Sequence, residues 1–169
     1  SGATVRHGYT ARISLTDFTT TGVEYLNLAA SDSDLVGFQG GVATADHMYF
    51  CPFWDASGAR AGKLVRVSHT DFTSSGIEVL DIGASNSALV GFVDAFATAN
   101  HVYLAPSSNS QPAYHGNAVR VSLTDFTSSG IENVNLQTVN TNLKGFGGGF
   151  ATANHAYYCP NYATPTYSG

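Results

Sequence analysis

Charge is scarce in this sequence. Only 11% of the 169 residues are Asp, Glu, Lys or Arg, with seven basic against twelve acidic residues and a net charge of −5. Lys63 and Lys144 are the two lysines. A chain this poor in cations argues against binding nucleic acid or anionic membranes, which depends on neutralising phosphates. No apolar run approaches the ~20 residues that span a bilayer, and no basic segment followed by an apolar one stands at the start. No Asn-x-Ser/Thr acceptor for N-glycosylation occurs. Also missing are a Gly-x-Ser-x-Gly elbow, a phosphate loop, a His-Glu-x-x-His helix and a paired-cysteine zinc motif. The expectation is a protein without catalytic activity or cofactor.

Apolar residues make up 43% of the chain, enough for a core, so disorder is not expected. With few charges, the surface must be built of Ser, Thr, Asn, Gly and Tyr, a composition that points to an extracellular or cell-surface protein. The dominant feature is a period of 54 residues. Asp17-Phe18, Asp71-Phe72 and Asp125-Phe126 follow it, as do Gly37-Phe38, Gly91-Phe92 and Gly145-Phe146, and Tyr49, Tyr103 and Tyr157. The expected organisation is one repeat domain over 1–169, with copies at 8–61, 62–115 and 116–169. Cys51 and Cys159 share one phase of the period, where the middle copy has Ala105. Equivalent atoms two copies apart lie beyond the ~7 Å limit for a disulfide, so two buried free thiols are expected.

Each copy reads as four strands. In the first, Ala11–Leu15 alternates apolar and polar residues, a polar turn from Thr16 to Gly22 reverses the chain, and Val23–Leu28 returns. The third strand spans roughly Gly40–Ala45 and the fourth Met48–Phe53, joined by a tight turn at Asp46-His47. Asp or Asn at the first turn position (Asp46, Asn100, Asn154) suits a left-handed conformation. If Arg12 faces Glu24, apolar groups occupy both faces of the sheet, which must then be covered on both sides. The third strand, rich in Gly, Ala and Thr, suits a place where backbones crowd together.

Four strands in ~50 residues, one of them built of small residues, match a propeller blade. Gly-Phe, Tyr-x-x-Pro and Arg-Val-Ser-x-Thr-Asp-Phe, taken together over the whole chain, resemble the tandem β-propeller-type repeats of large extracellular proteins. No Trp-Asp dipeptide recurs with the period, and Gly-Gly is missing from the middle copy, so WD40 and kelch repeats match poorly. The resemblance implies an all-β fold of β-propeller-like blades. Three blades do not close a ring of four to eight. The chain is therefore expected to join copies of itself, as ring or filament, or further repeats of the same chain. The alternative is a threefold closed fold, a β-trefoil or β-prism.

Candidate functional residues fall in four groups. His47, His101 and His155 recur once per copy, and a ring of imidazoles is a conceivable site for zinc, although residues of a repeated turn recur without any ligand. Arg12, Arg66 and Arg120 recur with Glu24, Glu78 and Glu132 as expected cross-strand pairs. Asp32 and Asp34 occur in the first copy alone and are a weak calcium candidate. The inter-copy loops hold Trp54, Tyr114, His115 and Tyr162 among hydroxyl and amide side chains. Aromatic rings in that setting bind carbohydrate or form subunit interfaces, so glycans join self-copies as candidate partners.

Overall fold

Where apolar and polar residues alternate, the chain is extended. The computed structural model describes residues 5–110 and 113–161. Its strands are β1 (Tyr9–Ile13), β2 (Val23–Asn27), β3 (Gly41–Ala43), β4 (His47–Phe50), β5 (Lys63–Ser68) and β6 (Ile77–Asp81). They continue with β7 (Phe92–Ala97), β8 (His101–Pro106), β9 (Asn117–Ser122), β10 (Ile131–Asn135), β11 (Phe146–Ala151) and β12 (Ala156–Pro160). All pairing is antiparallel, in four sheets ordered β1-β2, β3-β4-β5-β6, β7-β8-β9-β10 and β11-β12. The expected first-strand pairing holds: Arg12 stands opposite Glu24, Arg66 opposite Glu78 and Arg120 opposite Glu132.

The sheets do not coincide with the copies read from sequence. β4 pairs with β5 across the 61/62 boundary, and β8 with β9 across 115/116. Asp55 closes the turn between β4 and β5 by accepting the N–H of Gly58 and, through its carboxylate, that of Ala59 (3.2 and 2.9 Å), so this loop makes a hairpin. The chain leaves one sheet for the next between β2 and β3, where Gly37 and Gly40 take positive φ (64° and 67°). Gly91, at the phase of Gly37, also has positive φ (74°), and a Cβ there would collide with the Ser108 carbonyl oxygen. That requirement accounts for the Gly of the Gly-Phe pairs.

Two sequence expectations are corrected. The sheets hold two, four, four and two strands rather than three equal units, and among the described residues neither a barrel nor a propeller ring closes. Neither Asp46 nor Asn100 is left-handed, since no non-glycine residue described has positive φ. Thr44 closes the turn instead. Its N–H and hydroxyl both donate to the His47 carbonyl (2.8 and 3.1 Å), and its Oγ1 accepts the His47 N–H (3.4 Å), so ordinary dihedrals suffice.

The two-sided burial inferred from the pattern is real in β5. Leu64 belongs to a core with Tyr49, Phe92, Val102, Val119 and Val121, facing the β7–β10 sheet. Its neighbours Val65 and Val67 belong to a second core with Leu28, Leu35 and Phe72, facing β1–β2. β7 in turn packs against β3 and β11. The backbones approach closely there, for a Cβ at Gly149 in β11 would strike the Phe96 ring and the Tyr157 carbonyl.

Candidate functional site

The two outer sheets expose what the inner ones bury. β1 and β12 each pair on one side only among the described residues. Tyr49 in β4 is 2% exposed, whereas Tyr157, at the same phase in β12, is 44% exposed. Val67 and Val121 are fully buried, yet Ile13 at that phase in β1 is 37% exposed. Phe72 is buried and Phe126 packs against the first core, but Phe18 is 72% exposed. Both cysteines are free. Cys51 is buried as expected, and its thiol donates to the Asp94 carbonyl at 3.2 Å while burial pushes its pKa up. Cys159 is exposed, contrary to expectation, because among the described residues no sheet lies beyond β11–β12.

The recurrent Arg–Glu pairs sit on the sheet faces. Arg66 donates from Nε and Nη2 to Glu78 (3.0 and 2.9 Å), Arg120 does the same to Glu132 (3.1 and 2.8 Å), and Arg12 Nη2 reaches Glu24 at 2.8 Å. The guanidinium holds Glu78 and Glu132 below the usual carboxylate range. Each of two guanidiniums also covers a phenylalanine of the next sheet: Arg12 lies 4.5 Å from the Phe72 ring centre and Arg66 4.2 Å from that of Phe126. A groove of about 420 Å³ over β9 and β10 is lined by Tyr103, Ala118, Arg120, Val134, Leu136 and Tyr158.

The three recurrent histidines form no group able to hold a metal ion among the described residues. His47 Nε2 lies 3.6 Å from Glu78, and His101 Nε2 lies 4.0 Å from Glu132. Burial, with Arg66 close by, lowers the His47 pKa. Asp32 and Asp34 are both engaged by Lys63 Nζ, at 2.7 and 3.1 Å. Asp17 and Asp125 accept hydrogen bonds from the hydroxyls of their own turns, Thr19 and Thr21 in one case and Thr127 and Ser129 in the other. Those bonds lower both pKa values and leave the carboxylates as turn braces.

Of the loop residues singled out in the sequence, Trp54 and Tyr114 line adjacent hollows that share Arg60. The Arg60 guanidinium lies 3.6 Å from the Trp54 ring centre and 4.1 Å from that of Phe53, and Arg6 lies 4.3 Å from Trp54. Arg60 Nη2 donates to Ser108 Oγ at 3.2 Å, and Nε and Nη1 are buried without a partner. Burial, and Arg6 nearby, lower its pKa. The hollow at Tyr114, about 340 Å³, is lined also by Gln39, Phe53, Ser108 and Asn161. His115 is not on a surface: it is 3% exposed, edge-on to Phe92. Tyr162 lies outside the described residues. Arg6 and Arg60 were missed from sequence, though their spacing of one period, with Tyr114 one period further, marked them. The sequence matches no family model and no curated protein.

Proposed function

We propose that this chain is a non-enzymatic, extracellular interaction module built of β-propeller-like blades, and that its function is to associate with copies of itself. The single observation that carries this reading is the difference in burial between equivalent positions: Tyr157, Ile13 and Phe18 are exposed on the outer sheets where Tyr49, Val67 and Phe72 are buried in the inner ones. Open strand edges flanked by such residues pair readily with another strand, giving a ring where the rotation closes and a filament where it does not. The extracellular location is supported by the low charge and hydroxyl-rich composition. Light scattering on the purified chain is the test. A mass that is a multiple of 17.7 kDa and rises with concentration is expected, and a monomer at every concentration overturns the reading.

Glycan binding is a second reading, favoured by the hollow where Tyr114 meets Gln39, Ser108 and Asn161. Trp54 contributes less than its residue type suggests, because two guanidiniums already lie over its ring. This reading predicts that Tyr114→Ala abolishes binding on a glycan array without altering the melting temperature. An array with no bound glycan removes it.

A further inference from the structure

The intact sheets specify what the open edges lack. In the first four-stranded sheet Met48 stands opposite Val67 and Tyr49 opposite Arg66; in the second, Val102 stands opposite Val121 and Tyr103 opposite Arg120. β12 is at the phase of β4 and β8, and β1 is at the phase of β5 and β9. Each open edge therefore carries the complement of the other.

The faces match as well as the edges. In the interior, Arg12 covers Phe72 and donates from Nη1 to the His69 carbonyl at 3.1 Å; Arg66 covers Phe126 and donates to the Leu123 carbonyl at 3.4 Å. Arg120 is the third member of this series, and its face of β9–β10 is the open groove of about 420 Å³. The residues that one further period would bring there are those of Leu15 and Phe18, which are 88% and 72% exposed. Ile13 and Val23, exposed at 37% and 44%, occupy the phases of Val67 and Ile77 in the second core.

We infer that the occupant of this groove and edge is a second copy of the chain. Its β1 pairs antiparallel with β12 in the register Ile13 opposite Ala156 and Arg12 opposite Tyr157, and its Phe18 lies beneath Arg120. The inference rests on the self-association proposed above and adds the partner surfaces, the register and the number of copies. Among the described residues each copy has two four-stranded sheets and two two-stranded halves, and seams that join the halves complete the equivalent of three blades per copy. Propellers close at four to eight blades, so the one multiple of three in that range is six, reached by two copies. The reciprocal pairing makes the ring a twofold dimer with two such seams.

The test combines mass with disulfide trapping. In a Cys159→Ser background, Ile13→Cys with Ala156→Cys places two thiols directly opposite each other across the seam. Arg12→Cys with Ala156→Cys places them on opposite faces, because a slip of one residue reverses the side chain. Mild oxidation is expected to link two chains in the first variant and not in the second, on a particle of twice 17.7 kDa. Phe18→Ala and Arg120→Ala are each expected to weaken dimerisation by about tenfold or more and to leave the melting temperature of the dissociated chain unchanged. An assembly of another mass, or one trapped at the slipped pair, overturns this pairing while self-association stands. A monomer at all concentrations overturns both.

Discussion

His115 keeps a neutral imidazole because the fold offers its charged form no solvent. Its Nδ1 accepts the Asn117 N–H at 3.3 Å, which leaves the proton on Nε2, where it is buried without a partner. Burial pushes the pKa from 6.5 down to about 4, and the Gly91 and Val90 carbonyls nearby offset only part of that. Between those two values the unfolded chain binds more protons than the folded one. The stability tied to the neutral ring is thus complete above pH about 6.5 and is lost as pH falls toward 4. Urea unfolding is expected to show a loss on the order of 2 kcal/mol between pH 7 and pH 4.5. In His115→Ala that slope should flatten, since Ala61 occupies the same phase one sheet earlier; an unchanged slope would assign the pH dependence to other groups. The lowered carboxylates Asp17, Asp32, Asp55, Glu78, Asp125 and Glu132 lose their contribution toward lower pH, whereas His47, also lowered by burial, titrates in the same sense as His115, so the change of slope in His115→Ala, rather than the window, isolates this ring.

At the scale of a strand, identical sequence phases have different consequences according to what lies next to them. Leu64 in β5 is fully buried between two sheets. Leu64→Ala is expected to cost about 2–5 kcal/mol, the transfer of the side chain plus the cavity it leaves. Ile13→Ala in β1 should cost the isolated chain less than about 1 kcal/mol, since its side chain already meets solvent there. Denaturant midpoints of the two variants at low protein concentration check this contrast. Equal losses would mean that β1 is covered even in the dissociated chain. The recurrent Arg–Glu pairs set register across each hairpin, and the depth of Arg66, whose side chain is 13% exposed, comes from the sheet packed above it.

At the scale of the molecule, the sheets form a series whose first and last members each have a side left uncovered by the described residues. Association through strand edges, Phe18 and Ile13 is driven by backbone pairing and apolar burial, to which screening contributes little. Raising the salt concentration should leave the dimer dissociation constant within a few-fold or strengthen it, as sedimentation can show. Marked weakening by salt would assign the seam to the Arg and Glu side chains instead. The thiols report the same event. Cys51 should resist alkylation until the chain unfolds, while Cys159 should react in the dissociated chain and become protected as concentration rises. Protection that does not depend on concentration would place the cover of Cys159 within a single chain.

By itself the sequence determined the all-β class, the hairpins within each period and the register of the first of them, because alternation and the turn residues act over a few positions. The opposition of Arg12 to Glu24 and the burial of β5 on both faces were both legible in that way. Which strands share a sheet was decided by tertiary structure: β5 pairs with β4 and β9 with β8, so each four-stranded sheet spans two copies of the period. The same packing separated equivalent residues, burying Cys51 while exposing Cys159 and seating Phe72 while leaving Phe18 in solvent. It also turned His115 into the core and drew Arg60 over Trp54. A periodic sequence assigns one environment to all its copies, whereas a finite stack of sheets has ends, and the exposure of a side chain depends on whether the next sheet is present.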